Sequence, residues 1–253
     1  MLRIGIPSNG ALHQTTLDFL ASCGLDVSRP NDRNYTGEIR ALPGSVVHFQ
    51  RAADITWKVE DDSVDAGIVG YDRFLENRRG DDAVALVERL GFGGCSLVLG
   101  VPELWVDVSS VADLAEVSVD FRSAGRDLRI ATKFPRLVEQ FLLDRGVNYF
   151  SLVPTSGALE VAPAMGSADM IADITETGTT IRENRLKTVQ GGTIIRSQAC
   201  LIVNTASVRR VPSRLEAVRS MIGMMEGRLR ADGESPASEA LRRLEAGASK
   251  VPP

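Results

Sequence analysis

The sequence has few of the residues on which several common kinds of site depend. It holds three cysteines, Cys23, Cys95 and Cys200, which are odd in number, far apart and without CxxC spacing. This pattern argues against a disulfide framework and against a zinc site. The two histidines, His13 and His48, lie in no recognisable nucleophile motif, and GxSxG does not occur. The sequence therefore gives no sign of a nucleophilic hydrolase.

Excess basic charge and long apolar runs are also missing. The formal net charge is −4, so the chain has no broad electrostatic footprint for nucleic acid. No apolar run approaches the ~20 residues that span a bilayer. The first residues, MLRIGIPSNG, contain only a short apolar strand before Pro7, not a signal-peptide core. The sequence therefore predicts a soluble cytoplasmic protein that binds neither nucleic acid nor membranes.

What is present is an ordinary globular composition, 43% hydrophobic and 25% charged over 253 residues. Short β-type runs alternate with helical patterns, which predicts an α/β fold with mostly parallel sheets. The predicted strands are LRIGI, DAGIVG, CSLVLGVP, RIAT, YFSLV, ADMIADI, LKTVQGGTIIRS and ACLIVN. The predicted helices include HQTTLDFLASCG, FPRLVEQFLLDRG and a short one at GALEVAPAMG.

We interpret the order of these elements as two lobes followed by a helical tail. The chain is expected to leave the first lobe near the glycine-rich stretch GFGG, and the late strands are expected to return to it. The predicted first lobe comprises residues 1–95 and 188–210, the second lobe residues 96–187, and the tail residues 211–253. Two crossings between the lobes would leave a cleft, which is a usual place for ligands.

The tail is predicted to form two helices. Ser213 and Glu216 make a capping-box pattern at the start of the first, and the second is expected to begin near Pro236. Apolar residues recur in the first helix at heptad-like spacing. Its methionines suit either core packing or a subunit interface. These methionines are Met221, Met224 and Met225.

The stretch ADMIADITETGTTIRENRL combines a strand, a loop of small hydroxyl residues and a helix-like segment. Backbone N–H groups and the positive end of a helix dipole face outward at such a junction, which makes it an anion site. Gly178 lets the backbone curl close to a ligand. Hydroxyl donors come from Thr177, Thr179 and Thr180. The pattern predicts a phosphate site, although a plain Thr/Gly turn with a helix cap explains the same residues.

Two carboxylates, Asp169 and Asp173, come immediately before this loop. An acid beside a phosphate is repulsive, so they indicate a ligand that also carries hydroxyls or a bound Mg²⁺. Because they are four residues apart on a strand, their side chains are expected to point to the same face. A ribose 5-phosphate has neighbouring hydroxyls a few ångströms from its phosphate. Asp173 is the candidate to accept hydrogen bonds from them, with Asp169 beside it.

Two further strand-to-helix junctions carry residues suited to an anion. LRIGI runs into PSNGAL, where Ser8 and Gly10 are the natural contacts, and IATKFP carries Lys133. A simple turn and a solvated lysine explain these residues as well. The sequence has no GxxxxGK[ST], and GFGGCS lacks the GxGxxG spacing, so the common nucleotide motifs are absent. Three such junctions in one chain favour a ligand rich in phosphates.

Several of these stretches, taken in order, resemble the ATP phosphoribosyltransferase family. DMIADITETGTTIRENRL is similar to that family's loop for 5-phosphoribosyl-1-pyrophosphate (PRPP). RAADITWKVEDDSVDAGIVGYD is similar to its signature in the first lobe. LGFGGCSLVLGVP, RIATKFP, ALEVAP and IIRSQACLIVN also match, so the resemblance covers roughly residues 2–205.

The resemblance implies a two-lobed fold like that of type II periplasmic binding proteins, here with a C-terminal helical tail. It also implies that the chain condenses ATP with PRPP to give phosphoribosyl-ATP and pyrophosphate. This reaction is the first step of histidine biosynthesis, and the family requires Mg²⁺. N1 of the adenine would displace pyrophosphate at the anomeric carbon, and because N1 has a free lone pair no strong general base is needed.

Residue roles follow from the same resemblance. Asp169 and Asp173 would hold the ribose hydroxyls, and residues 177–180 would hold the 5-phosphate. Asp173 would also support the positive charge that develops on the sugar. The basic side chains placed to meet the pyrophosphate are Arg51, Lys133 and Arg136.

Two departures from the family pattern bear on these expectations. Asn9 stands where the family often has lysine, which weakens one phosphate contact and keeps open a non-catalytic nucleotide- or anion-binding paralogue on the same fold. Only a short helical segment follows Asn204, so the chain looks like the short form of the family, which has no regulatory domain of its own. The expected partner is then a regulatory subunit similar to histidyl-tRNA synthetase, with a homodimer as the alternative. A phosphoribosyltransferase for another base is disfavoured, because the motifs outside the loop match too.

Overall fold

Two separate β-sheets carry the alternation of strands and helices that the sequence predicts. The structure is a computed structural model that describes residues 1–31, 33–155, 158–229 and 236–246. One unit is formed by Met1–Gly93 together with the chain from Gln198 onward, and the other by Gly94–Ser197. We call them unit 1 and unit 2.

The sheet of unit 1 has seven strands. They are β1 (Arg3–Pro7), β2 (Val27–Ser28), β3 (Thr36–Ile39), β4 (Val46–Gln50), β5 (Ala66–Gly70), β6 (Ala83–Val87) and, from the late part of the chain, β12 (Ala199–Asn204). Their order is β2-β3-β4-β1-β5-β12-β6, with β1 parallel to β4 and β5 and β12 antiparallel to β5 and β6. Every residue of β5 and β12 is buried, which explains why both read as unbroken apolar runs.

Helices cover both faces of this sheet. Neighbouring residues on β5 point to opposite faces: Ile68 belongs to one apolar cluster and Val69 to another. The first cluster includes Leu20 and Met225, and the second includes Phe74. The helices of unit 1 are α1 (Ala11–Ser22), α2 (Ala52–Glu60), α3 (Tyr71–Asn77), α7 (Thr205–Arg210), α8 (Pro212–Leu229) and α9 (Pro236–Ala246).

The two tail helices pack into the core of unit 1. Met221 and Met225 are fully buried in its apolar cluster, and Met224 is partly buried against it. Of the two interpretations of the methionine cluster, the structure shows core packing. Leu244 of α9 is buried in the same cluster.

The sheet of unit 2 has five strands, and three parallel strands form one side of it. They are β7 (Cys95–Pro102), β8 (Leu128–Thr132), β9 (Phe150–Pro154), β10 (Met170–Thr175) and β11 (Leu186–Ser197). The order is β11-β7-β10-β8-β9, with β8 parallel to β9 and β10 and β7 antiparallel to β10 and β11. The helices of unit 2 are α4 (Val111–Ser123), α5 (Pro135–Leu143) and α6 (Thr179–Glu183).

The structure corrects three details of the predicted organisation. Residues 188–197, expected in the first lobe, belong to unit 2, because β11 continues its antiparallel pairing with β7 as far as Ser197. The predicted tail, residues 211–253, is part of unit 1 as far as the structure describes it. The short helix expected at GALEVAPAMG is a series of turns over its described residues. Pro163 has no N–H to donate and interrupts any helical ladder there.

Candidate active site

A tight turn separates β10, which ends at Thr175, from α6, which begins at Thr179. We call residues 175–180 the threonine loop. Gly178 caps the helix with φ 74° and ψ 5°, in the left-handed region that favours glycine. Its N–H donates to Oγ1 of Thr175 at 2.8 Å, and the hydroxyls of Thr177 and Thr179 lie 2.8 Å apart. The loop is therefore held in shape by its own hydroxyl groups.

The anion-binding capacity of this loop comes from local donors more than from a helix dipole. α6 has only five residues, so its macrodipole is small. The N–H groups of its first turn have no partner inside the helix, and that of Thr179 makes one long contact of 3.4 Å to Oγ1 of Thr177. The side chains of Thr177, Thr179 and Thr180 are exposed. These N–H groups and hydroxyls can converge on a phosphate.

Arg182 lies across the threonine loop, a contact that the sequence analysis missed. Its Nη1 donates to the carbonyl of Thr177 and its Nη2 to Oγ1 of Thr179, both at 3.3 Å. Nη1 also lies 3.0 Å from where a Cβ on Gly178 would be. The contact between Arg182 and Thr179 was predictable from their spacing. Residues three and four apart lie on the same face of a helix, and Arg182 follows Thr179 by three residues. A positive charge therefore stands beside the loop.

The threonine loop lies where three parallel strands end. Ala172 of β10 pairs with Thr132 of β8, and Thr132 pairs with Pro154 of β9, so the carboxyl ends of all three strands share one edge of the sheet. Ligands of open α/β sheets bind at this edge. Lys133 and Asp173 each come directly after the last paired residues, Thr132 and Ala172. The structure thus brings these two predicted site residues to the same edge as the loop.

Asp173 is half-buried on β10, and its Oδ1 accepts the N–H of Ile174 at 2.8 Å. Lys133 is exposed at the start of the turn from β8 to α5, and Arg136 is exposed in the first turn of α5. Two of the three basic residues suggested for pyrophosphate therefore lie at one strand-to-helix junction of unit 2. The third, Arg51, lies in unit 1.

Asp169 does not lie at this edge, contrary to the sequence-based expectation. It precedes β10, about 13 Å from Asp173 along the strand. Its carboxylate pairs with Nη1 of Arg126 at 2.7 Å and Nη2 of Arg129 at 3.0 Å, and accepts the backbone N–H of Arg129 at 2.8 Å. Burial opposes the charge, but the hydrogen bonds from Arg129 and Arg126 outweigh it and lower the pKa of Asp169. Strand alternation took no account of the distance along the strand, and Asp169 instead links the start of β10 to β8 through Arg129.

In unit 1, the junction after β1 forms part of a cavity of about 420 Å³. Ser8 follows β1 and Arg51 follows β4, and these parallel strands end in register, with Pro7 opposite Gln50. Ser8 donates its N–H to the carbonyl of Gln50 at 2.7 Å. The lining residues are Ser8, Asn9, Tyr35, Phe49, Gln50, Arg51 and Asp54.

Two helices begin beside this cavity. Gly10, with φ 79°, is the N-cap of α1, and Arg51 is the N-cap of α2. Gly10 has no side chain with which to cap α1. Among the described residues, Arg51 makes no side-chain hydrogen bond that caps α2. The first-turn N–H groups of both helices suit an anion. Arg51 brings a positive charge to the cavity in which Asn9 contributes only an amide.

Two properties of the described residues bear on other kinds of site. Over these residues, no three or more His, Cys, Asp or Glu side chains are grouped so as to hold a metal ion. No helix in the same part of the chain has the length and apolar character that crossing a membrane requires.

Comparison with solved structures defines the class of protein. A periplasmic sulfonate-binding protein, SsuA from Methylobacillus flagellatus KT, matches with a TM-score of 0.52 at 15% identity, covering 96% of this chain and 72% of that chain. A chain of the ATP phosphoribosyl transferase (HisG:HisZ) complex from Thermotoga maritima matches with a TM-score of 0.68 at 25% identity, covering 92% of this chain and 100% of that one. The predicted α/β fold of the periplasmic-binding-protein type is confirmed.

Comparison of sequences identifies the family. The family model HisG, ATP phosphoribosyltransferase, matches residues 51–227. An ATP phosphoribosyltransferase from Mesorhizobium japonicum is 43% identical over 81% of this chain and 90% of its own length, and one from Brucella anthropi is 44% identical over 79% and 88%. The chain belongs to the ATP phosphoribosyltransferase family and is an enzyme. Family membership confirms the resemblance seen in the sequence and disfavours a non-catalytic paralogue.

Proposed function

We propose that this chain transfers the 5-phosphoribosyl group of PRPP to N1 of the adenine ring of ATP, which yields phosphoribosyl-ATP and pyrophosphate and begins histidine biosynthesis. Membership of the family supports the reaction. The observation in the structure that carries it is the threonine loop beside Asp173, at the carboxyl ends of parallel strands. Ribose 5-phosphate needs both features, whereas a sensor of free phosphate has no use for the carboxylate.

PRPP is held at this edge of unit 2 by two kinds of contact. Its 5-phosphate accepts hydrogen bonds from the hydroxyls and first-turn N–H groups of the threonine loop, where Gly178 leaves room for close approach. Its ribose hydroxyls donate to the carboxylate of Asp173. Bonds to a charged acceptor are shorter and stronger than neutral ones, so this pair orients the sugar.

The chemical step exchanges one bond at the anomeric carbon for another. The lone pair of adenine N1 forms the new C–N bond while the C–O bond to pyrophosphate breaks, and its electron pair leaves with pyrophosphate. Positive charge builds up on the sugar during this exchange, and the carboxylate of Asp173 stabilises it. Alignment of the two substrates supplies much of the remaining acceleration.

Basic groups in each unit serve the phosphates. Lys133, which comes directly after the paired residue Thr132 at this edge, is assigned to the pyrophosphate, with Arg136 in the following helix turn. In unit 1, Ser8, Gly10 and Arg51 form a second phosphate site, and Arg51 supplies the charge that Asn9 does not. The cavity that Ser8 and Arg51 line together supports this assignment.

Mg²⁺ accompanies PRPP in this proposal. Mg²⁺ is commonly held by one or two carboxylates plus substrate phosphates. Asp173 and the exposed Glu176 flank the start of the threonine loop, so the donor set there fits an ion carried mainly by the substrate. When bound, the ion neutralises charge on the leaving pyrophosphate.

We assign the chain to the short form of the family, acting in the cytoplasm with a regulatory subunit similar to histidyl-tRNA synthetase. The Thermotoga maritima match is a HisG:HisZ complex, and this chain covers its matched chain completely. A homodimer is the alternative, and the mass in solution with and without the second subunit separates the two.

The test is turnover of the purified chain with PRPP, Mg²⁺ and either ATP or GTP, with the regulatory subunit absent and then added. We expect phosphoribosyl-ATP, identified by absorbance and mass, from ATP and no corresponding product from GTP. Equal use of both nucleotides would indicate a different base specificity. Absence of product under all four conditions would overturn the proposed reaction.

A further inference from the structure

The threonine loop places a phosphate in an acidic neighbourhood. Asp173 lies on the strand that leads into the loop, Glu176 is exposed within it, and Glu183 is exposed at the end of α6. A doubly charged phosphate bound here is repelled by these carboxylates unless a cation lies close to it. The loop's N–H groups and hydroxyls carry only partial charges, so they do not fully offset this repulsion.

Arg182 is a cation that contacts the loop itself. Its two nitrogens reach the carbonyl of Thr177 and Oγ1 of Thr179, which are on either side of Gly178. Both contacts are 3.3 Å long, at the weak end of the hydrogen-bond range, so they orient the guanidinium without immobilising it. A guanidinium has five N–H donors, so donors remain for a phosphate that the same loop holds.

The absence of a side chain at Gly178 leaves space for the guanidinium of Arg182. A Cβ at position 178 would lie 3.0 Å from Nη1 of Arg182, a tight contact that would move the flexible guanidinium by a few tenths of an ångström. Glycine is therefore favoured there both for its φ of 74° and because it leaves space for the guanidinium. The contact needs a planar fork and a long reach, which lysine reproduces only in charge.

We propose that Arg182 is a positioning residue that braces the threonine loop through Thr177 and Thr179 and adds the positive charge needed to hold the 5-phosphate of PRPP. The proposal rests on the proposed function, since it requires the loop to receive that phosphate. It makes Arg182 a determinant of PRPP binding, with no effect on ATP binding.

The experiment compares Arg182→Gln and Arg182→Lys with Arg122→Gln as the matched control. Arg122 is also in unit 2, but it pairs with Asp127 just before β8, at the opposite end of that strand from Lys133. The dissociation constant of ribose 5-phosphate is measured by titration calorimetry, together with KM for PRPP, KM for ATP and the melting temperature.

We expect Arg182→Gln to weaken ribose 5-phosphate binding and raise KM for PRPP about ten- to a hundredfold, as for loss of a charged hydrogen bond. KM for ATP and the melting temperature stay close to wild type, and Arg182→Lys recovers part of the affinity. Affinity in Arg182→Gln equal to that in Arg122→Gln would overturn the role of Arg182 while leaving the reaction intact. Failure of wild type to bind ribose 5-phosphate or PRPP would overturn the loop assignment and this inference together.

A double-mutant cycle gives a second test that does not depend on turnover. Gly178→Ala weakens ribose 5-phosphate binding through backbone strain and through displacement of the guanidinium. In the Arg182→Gln background only the strain remains, so the additional loss from Gly178→Ala is smaller than in wild type. Equal losses in both backgrounds would show that the two residues act independently and would overturn the bracing role.

Discussion

At Gly178, backbone conformation and substrate binding depend on the same residue. With φ 74°, valine at this position is strained by about 1–2 kcal/mol, and its side chain meets Arg182. We therefore expect Gly178→Val to lower stability slightly and to raise KM for PRPP strongly. Steady-state kinetics and calorimetric melting measure the two effects.

Gly125 provides the control for this substitution. It also has a positive φ, 88°, and a Cβ there would meet nothing within 4 Å. Gly125→Val carries a similar backbone strain without touching the threonine loop. If both variants lose stability and only Gly178→Val loses PRPP affinity, the loop assignment holds. A wild-type KM in Gly178→Val would count against it.

Removing the charge of Asp173 tests its proposed contact with the ribose hydroxyls of PRPP. Asp173→Asn is nearly isosteric, so the fold is expected to persist. Loss of a charged hydrogen bond costs about 1.5–3 kcal/mol, which corresponds to roughly ten- to a hundredfold in kcat/KM for PRPP. Kinetics on a variant with an unchanged melting curve measure this effect directly. A folded Asp173→Asn enzyme with wild-type PRPP kinetics would remove Asp173 from the site.

Each unit joins two of its parallel strands through an arginine–aspartate ion pair of the same geometry. In unit 1, the N–H of Arg3 donates to Asp65 at 2.7 Å and its guanidinium pairs with the same carboxylate at 2.7 Å. In unit 2, Arg129 makes the corresponding contacts to Asp169 at 2.8 and 3.0 Å. Each arginine follows leucine and precedes isoleucine, and each aspartate comes directly before the neighbouring strand, β5 or β10. The structure thus repeats one device for joining two parallel strands.

Because these arginine–aspartate pairs join strands away from the threonine loop, we expect Asp65→Asn and Asp169→Asn to reduce stability but not substrate affinity. Asp65 is fully buried and also pairs with Arg214, so its loss costs about 3–5 kcal/mol. The arginine partners of Asp169 are 36% and 48% exposed, so solvent screening reduces its cost to about 1 kcal/mol. Denaturant unfolding measures both values. A large rise in KM for PRPP in Asp169→Asn would restore its sequence-predicted role at the ribose.

The contribution of Asp169 also has a defined pH dependence. Its folded pKa is lowered, because hydrogen bonds from the arginines outweigh burial, while the unfolded value is about 3.9. The carboxylate therefore stabilises the fold fully above that value, and the contribution is lost as pH falls towards the folded pKa. The stability difference between wild type and Asp169→Asn should shrink on acidification below about pH 4. A difference that stays constant down to pH 2 would contradict the ion-pair account.

The elements that the sequence predicted well are those whose pattern is local. LKTVQGGTIIRS and ACLIVN coincide with β11 and β12. β12 is buried throughout, so its apolar run is visible in the sequence alone. The threonine loop was predictable because its donors are consecutive. Asp169 was placed wrongly because its partner Arg126 comes from tertiary contact. Arg182 was missed because its contacts depend on the geometry of a short turn. The sheet to which residues 188–197 belong depends on pairing with β7, which lies far away in sequence.

At the scale of the whole molecule, the C-terminal helices are part of the core of unit 1. Met225 is fully buried among residues from both early and late parts of the chain. We expect Met225→Ala to lower the free energy of unfolding by about 2–4 kcal/mol, and Met225→Leu to cost less than about 1.5 kcal/mol because it preserves volume. Both effects should be independent of protein concentration. A melting temperature of Met225→Ala that recovers with increasing concentration would indicate a subunit interface instead.

The measurement that tests the account most directly is the balance of products from ATP, PRPP and Mg²⁺, with the regulatory subunit present. The proposed reaction predicts one phosphoribosyl-ATP, identified by mass, for each pyrophosphate released, and no pyrophosphate release when ATP is omitted. Pyrophosphate released without ATP, or PRPP bound but never consumed in the complete mixture, would contradict the account.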